Sequence, residues 1–243
     1  MSQNIFVHRM TTKEIAIEQI VQKLSMIIEL LTEEERRRLL EHIKIQYLRK
    51  NELAYKDGDL PRDMLCVLTG KLKIYKEGVS GRSQLIRVLK PVSFTGHRAF
   101  FADEIHHTSC EALEPTTIVR IPLIVLTDII QHNARLAWFF IKDLSVRLGS
   151  ANERTVNLTQ KHVRGRLAEA LLFLRDTYGV EEDGCTRSIY LSREDMANMS
   201  NMTTSNAIRT LSAFAQEKLI AIDGRKIKLI NIPELVKINR MGC

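Results

Sequence analysis

Three zones separate along the chain by the spacing of their apolar residues. Between residues 11 and 45, Ile15, Ile17, Ile20, Val21, Leu24, Ile27, Ile28 and Leu31 recur at helical spacing. Thr32 then opens a second short helix. Glu33, Glu34 and Glu35 fill its first turn, where the helix dipole favours acids, and Arg36, Arg37 and Arg38 follow as a solvated face. Residues 46–122 change character. Short β-prone runs at 53–55, 64–68, 71–75, 85–89, 108–112 and 118–121 are separated by turn signals such as Asp57-Gly58-Asp59, Thr69-Gly70, Ser80-Gly81 and Pro91. Many short strands at short spacing predict a sandwich or barrel.

Helical spacing returns from residue 123 to 178. Starting at Asn133, the pattern runs through Leu136, Phe139, Phe140, Leu144, Leu148, Ala151, Thr155 and Leu158, with no proline before His162. Thirty helical residues extend about 45 Å, more than a domain of this size needs for its own core. The spare apolar stripe wants a partner, most simply the same helix of a second subunit; packing within its own subunit is the competing reading. Residues 163–178 form a further amphipathic helix, and 181–186 a polar loop. Near the end, Leu219, Ile220 and Ile222 precede Asp223-Gly224, and Ile227, Leu229 and Ile230 follow it, the pattern of a hairpin.

Composition narrows the class. In 243 residues, 44% hydrophobic and 27% charged, the chain is globular and long enough for one large or two small domains. No apolar run reaches the roughly 18 residues of a membrane span, and no secretory signal is visible, so a cytoplasmic location is expected and no membrane partner. Cys66, Cys110, Cys185 and Cys243 are dispersed, which argues against a zinc site or a cysteine-held Fe–S cluster and for reduced thiols. Net charge is +7, which suits an anionic partner. The charge is not concentrated: residues 1–162 hold 24 Lys and Arg against 19 Asp and Glu, and residues 163–243 hold 12 against 10. A nucleic-acid surface has to be found in local pattern.

That pattern lies between Leu191 and Leu219. Ser192 fits a helix N-cap with Asp195 three residues on. Met196, Ala197 and Met199 give a short helix an apolar side, and Ser200-Asn201-Met202 forms a turn in which Asn201 tolerates the left-handed conformation. Thr203 caps a second helix running to about Gln216. Ala207, Ile208, Leu211, Phe214 and Ala215 share one of its sides, and Ser205, Arg209, Ser212 and Gln216 the other. The polar stripe carries a single long donor, Arg209, able to reach a guanine edge or a phosphate. Two short helices, a tight turn and a hairpin tipped by Arg225 and Lys226 have the form of a winged helix-turn-helix; a plain helical hairpin with a solvated face is the alternative.

Taken together, these motifs resemble the Crp–Fnr family of bacterial transcription regulators. Val163-Arg164-Gly165-Arg166-Leu167-Ala168, with Leu171 and Leu172, is similar to the start of that family's DNA-binding domain. Leu191 to Ala197 and Thr203 to Leu211 are similar to its helix-turn-helix. Tyr55-Lys56-Asp57-Gly58-Asp59 and Val67-Leu68-Thr69-Gly70-Lys71-Leu72 are similar to the early strands of its cyclic-nucleotide-binding roll. The resemblance implies an α+β fold: an N-terminal antiparallel, jelly-roll-like β-roll within residues 1–132, a long dimerisation helix over 133–162, and a winged helix-turn-helix over 163–243. It implies a homodimer on a palindromic double-stranded DNA operator, with RNA polymerase as a further partner. Base contacts then fall to Thr204, Ser205 and Arg209, phosphate contacts to Ser192, Arg193, Thr203 and Arg225, and the dimer helix to Leu136, Phe140, Leu144, Leu148 and Ala151.

The sensor motif departs from the family. Members that bind cyclic AMP carry a Gly-Glu pair and, about ten residues later, an Arg-Ser/Thr pair for ribose and phosphate. Here Gly96 is followed by His97, the later position falls at His106-His107-Thr108, a roll glycine is Val92, and the purine-facing Thr-Ser pair is Ala151-Asn152. The residues left for an effector pocket are Gly96, His97, Arg98, His107, Thr108 and Asn152, and cyclic AMP is not the expected ligand. Oxygen-sensing members use an N-terminal cysteine cluster, and no cysteine precedes Cys66. Haem is an alternative because His97, His106, His107, Met64 and Cys66 are ligand types; adjacent on a strand, His106 and His107 would face opposite sides. Two function classes follow: a DNA-binding regulator, and a small-molecule- or haem-binding, cupin-like module active in the roll. The second needs a metal cluster or nucleophile–base pair that His106-His107 does not supply, so an enzyme is not expected.

Overall fold

The computed structural model describes residues 17–78, 81, 83–178, 186–187, 191–224 and 226–242. Three short helices, α1 (Ile17–Lys23), α2 (Ser25–Ile28) and α3 (Glu33–His42), lead into the roll strands. These are β1 (Lys44–Leu48), β2 (Leu53–Tyr55), β3 (Asp63–Thr69), β4 (Leu72–Glu77), β5 (Ser83–Leu89), β6 (Phe94–Thr95), β7 (Ser109–Ala112) and β8 (Thr116–Pro122), with the short α4 (His97–Phe101) after β6. Helices α5 (Leu123–His132), α6 (Ala134–Gln160) and α7 (Val163–Tyr178) follow. The chain then runs through β9 (Thr186–Arg187), α8 (Arg193–Met199), α9 (Thr204–Gln216), β10 (Ile220–Asp223), β11 (Lys226–Leu229) and α10 (Ile232–Met241).

The roll is two four-stranded antiparallel sheets, ordered β1-β8-β3-β6 and β2-β7-β4-β5. Strand β3 shows why its sequence, Met-Leu-Cys-Val-Leu, is apolar without a break. Leu65 and Val67 face the inter-sheet core with Leu48, Leu72, Leu89, Cys110 and Ile118; Met64, Cys66 and Leu68 face the helices, with Leu24, Ile27, Leu39, Leu126 and Leu136. The helical expectation for residues 11–45 needs correction over its described part: it breaks into three helices, and Lys44 and Ile45 already belong to β1, paired with Arg120 and Val119. Tertiary pairing overrides a helical period that ends in Ile43-Lys44-Ile45.

Capping fixes the helix starts. The Thr32 hydroxyl accepts from Glu35 N and the Glu35 carboxylate accepts from Thr32 N. Asn133 does more than cap α6: its Oδ1 accepts from Leu136 N at 3.0 Å, while Nδ2 donates to Leu30 O and to Glu35 Oε2, tying the α6 start to the N-terminal helices. At 27 residues α6 spans about 40 Å. A second core joins α7, α8, α9 and the β10–β11 hairpin, and it takes in Leu85, Val88 and Leu113 from the roll. The unexpected α10 packs on α7, capped by Asn231 Oδ1 accepting from Glu234 N, with Pro233 in its first turn.

Candidate nucleic-acid interface

The start of α8 is a closed capping box. Ser192 Oγ accepts from Asp195 N at 2.9 Å and donates to Asp195 Oδ2 at 2.8 Å, and Ser192 N donates to the same oxygen. Met196, Ala197 and Met199 are buried behind it. The turn follows from Asn201 at φ 47° and from Met202 N donating to Ala197 O. Thr203 Oγ1 accepts from Asn206 N, which starts α9.

Helix α9 buries Ala207, Thr210, Leu211 and Phe214 and exposes Thr204, Ser205, Arg209, Ser212 and Gln216. Ile208 is a correction: it was expected on the apolar side and stands exposed beside the polar stripe, because it lies at the edge of the apolar arc rather than inside it. The Arg209 guanidinium donates to Asn206 Oδ1 one turn earlier, so it lies along the exposed face. Asn206 was missed by sequence reasoning; its signal was the three-residue spacing to Arg209.

The proposed phosphate contacts divide. Ser192 and Thr203 are exposed at the two helix starts, their hydroxyls engaged in caps. Arg193 turns inward: Nη2 donates to Gly224 O at 2.8 Å, Nη1 is buried without a partner, and burial pushes its guanidinium below the usual arginine range. It pins α8 to the hairpin turn, and this replaces the expectation that it reaches out to phosphate. Arg225 lies outside the described residues; Lys226 beside it is exposed.

On α6, Leu136 and Phe140 are corrections as dimer residues. They are 0% and 3% exposed, packed into their own chain's helical core. The apolar side facing away from the roll carries Trp138, Ile141 and Leu148, with Leu144 half-buried at its edge and Ala151 and Asn152 exposed. The signal was available, since Trp138, Ile141, Ser145, Leu148, Asn152 and Thr155 follow alternating three- and four-residue steps.

The residues assigned to an effector pocket do not all gather. Gly96 has φ 95°, and a Cβ there would sit 2.6 Å from Asp63 O, so the chain needs glycine. His97 is buried with its ring between Phe101 and Phe140, and Nε2 lies 3.5 Å from Asp143 Oδ2 on α6. Burial pushes its pKa below the ordinary histidine value, against the pull of Asp143. Asp143 also holds Arg147 Nε at 2.5 Å, and Arg147 Nη2 donates to Phe94 O. Thr108 is half-buried beside the Tyr55 hydroxyl, which also meets Thr95 Oγ1 at 3.2 Å.

Three other assignments fall outside. Arg98 donates to Glu104 at the surface, and His107 is exposed within 3.7 Å of the same carboxylate. Asn152 lies on the outer side of α6. His106 and His107 precede β7 rather than sit on it; His106 stacks on Tyr55 at 3.9 Å and 10°. Cys66 is 0% exposed and sealed in the helical core, away from any open pocket, and burial pushes its thiol up to about 12. Tyr55 was named in a strand motif but not in the pocket, and Asp143, Arg147 and Arg87 were missed altogether. The Arg87 guanidinium is pushed down to about 10 by burial and by Arg147.

Comparison with known proteins settles the lineage. Residues 45–133 match the cyclic nucleotide-binding domain model and residues 165–238 the Crp-like helix-turn-helix domain model. The chain belongs to the Crp–Fnr family of transcription regulators. Among curated relatives, the "CRP-like cAMP-activated global transcriptional regulator" of Mycobacterium tuberculosis is 21% identical over 189 residues, 77% of this chain and 84% of that protein. The "Fumarate and nitrate reduction regulatory protein" of Vibrio cholerae is 24% identical over 193 residues, 79% of this chain and 76% of that protein. Among solved structures, FixK2 of Bradyrhizobium japonicum superposes with a TM-score of 0.73 at 21% identity, covering 81% of this chain and 97% of that one. The Crp–Fnr relatives are regulators rather than enzymes, and the mixed helix and antiparallel-sheet architecture with an N-terminal roll and C-terminal helix-turn-helix is theirs. Among the described residues no helix of this Crp–Fnr protein is long and apolar enough to cross a membrane.

Proposed function

We propose that this Crp–Fnr regulator is a cytoplasmic homodimer, joined along α6, that binds a palindromic operator through α9, works with RNA polymerase, and is not switched by cyclic AMP. The observation that carries the reading is the uncovered polar face of α9, with Arg209 held along it. Arg209, Ser205 and Thr204 read base edges. Ser192, Thr203 and the hairpin-tip cations around Arg225 and Lys226 set the protein's position on the phosphates. The outer apolar side of α6 supports a two-fold axis that matches a palindrome. Selection of bound DNA from a random pool, followed by gel shift, tests this: a palindromic consensus with salt-dependent affinity supports it, and salt-dependent binding without sequence preference refutes it.

Exclusion of cyclic AMP rests on charge. A cyclic phosphate entering a half-buried site needs a compensating cation, and the position expected to supply one holds His106, His107 and Thr108. His106 is committed to Tyr55 and its pKa is lowered by burial, so it is neutral at pH 7. His97, where a ribose acceptor would stand, is packed against Asp143 and two phenylalanines. Titration calorimetry with cyclic AMP should show no saturable binding at micromolar concentration; saturation there would mean that Arg87 or Arg147 has taken over the phosphate.

A further inference from the structure

We propose that Arg154 and Lys73 are positioning residues for DNA reading: they fix the helix-turn-helix against the roll, and so set where α9 stands relative to the dimer axis. The inference rests on the dimeric, operator-binding reading above. Only Lys161 and His162 separate the end of α6 from α7. A two-residue connection by itself leaves the DNA-binding domain free to pivot. Asn157 and Lys161 hold the connection itself, donating to Glu169 on α7 and to Asn239 on α10, and two further cations tie α8 to the roll. The Arg154 guanidinium, on α6, donates to Leu85 O and Ile86 O of β5 and, at 3.3 Å, to Met199 O at the end of α8. Lys73 Nζ, on β4, lies 3.2 Å from Glu111 Oε1 of the roll and 3.2 Å from Asp195 Oδ1 of α8.

The chemistry fits a clamp. A planar guanidinium can span carbonyls from two separate elements, which a lysine ammonium holds less well. Arg154 is largely desolvated and hydrogen-bonded only to carbonyl oxygens, with burial pushing its pKa down against the attraction of Glu169. Such a charge is costly to bury, and here its three acceptors come from both sides of the domain boundary. Lys73 bridges one carboxylate from each side, and its removal leaves Glu111 facing Asp195. Leu85, Val88 and Leu113 fill the space between, in one cluster with Met196, Met199 and Leu211.

The direction of the effect follows from which helix is held. The roll grips α8 and leaves the polar face of α9 open. The clamp therefore orients the reading helix and does not mask it. Half-sites on a palindrome lie one helical turn apart, so a domain free to pivot must lose that freedom on binding.

The test uses the full chain and an operator selected with it from random DNA. Arg154→Met and Lys73→Met should each weaken binding to the palindrome about tenfold while leaving a single half-site within about twofold. Equal losses on both DNAs would mean damage to the domain itself, and unchanged or tighter palindrome binding would show that the contact does not position α9; each overturns the proposal. A readout without DNA separates this from failure of the operator reading. Spin labels at Lys90→Cys and Lys237→Cys, in a background free of other reactive thiols and diluted with excess unlabelled chain, should give a narrow distance distribution in the parent and a broad one in Arg154→Met. A distribution that stays narrow overturns the proposal whether or not an operator is found.

Discussion

Leu148→Glu is the sharpest perturbation of the dimer. Leu148 is 64% exposed on the outer side of α6, one heptad after Ile141 at 52%, and Trp138 at 67% lies on the same side. Full burial of a leucine side chain is worth about 1.5–3 kcal/mol; the part still exposed here gives about 1–2 kcal/mol per chain. A two-fold axis counts that twice, and a glutamate opposed to its own symmetry mate adds repulsion and desolvation, for a total of about 3–5 kcal/mol per dimer. That is roughly two to four orders of magnitude in dissociation constant, enough to turn a micromolar dimer into a monomer under the same conditions. Equilibrium sedimentation reads it directly. Val146→Glu is the control: Val146 is 62% exposed but lies about 160° around the helix from Leu148, so its mass should not change. Dissociation by the control and not by Leu148→Glu would put the interface on another side of α6. A monomeric parent protein at micromolar concentration would refute the dimer itself.

Arg209→Ala should weaken operator binding by about 1–3 kcal/mol and relax base preference at one position of each half-site, read by gel shift against single-base variants; unchanged specific affinity would remove Arg209 from base reading. His97 and His106 both have folded pKa values lowered by burial, so the folded state keeps them neutral while the unfolded chain takes up protons below about 6.5. Their contribution to stability is complete above that pH and is lost as pH falls below it, by up to about 1.4 kcal/mol per pH unit for each histidine. Urea unfolding at pH 7 and pH 5 should show the loss, with a smaller one in His97→Phe, and equal slopes would contradict it. Gly165→Ala should destabilise the C-terminal domain by about 1–3 kcal/mol in thermal unfolding. Its Cβ would lie 2.8 Å from the Gly242 carbonyl carbon, at a chain end held by His162 N donating to Gly242 O. No measurable change would mean that this end gives way freely.

Much of the fold was legible because its elements carry local signals. The capping box at Ser192, the left-handed Asn201, the Thr203 cap and the turn at Asp223-Gly224 depend on neighbours within four residues, and the sequence displays all of them. Strands β2 to β5 were bracketed by glycine-bearing turns. What failed to show were elements whose identity depends on distant partners. Strand β1 looked helical because Ile43 and Ile45 extend an apolar period, and only its pairing with β8 makes it a strand. Helix α10 was hidden because Asn231, Pro233, Leu235 and Ile238 make sense as a capped amphipathic turn only once α7 offers a surface to cover. On α6 the apolar pattern summed two faces, one turned to its own roll and one away from it. Periodicity alone could not divide Leu136 and Phe140 from Ile141 and Leu148.

The effector region was the least legible, and the reason is geometric. A sequence motif assigns a pocket by position, whereas a side chain's use is decided by what stands across the roll from it. His97 occupies a family ligand position yet is engaged by Asp143, 46 positions later on α6, and that carboxylate is shared with Arg147. Arg98 neighbours His97 and points away, to Glu104. Val92, at φ 70°, stands where the family has glycine, a conformation that a β-branched residue adopts only when its surroundings force it; its N–H donates to Val67 O and holds the turn before β6 in place. The same stretch gains contacts from Asp143 and Arg147 on α6. The Arg147 hydrogen bond to Phe94 O and the 3.5 Å approach of Asp143 to His97 therefore join the roll to α6 directly, which is why His97 could not be assigned from its motif position alone.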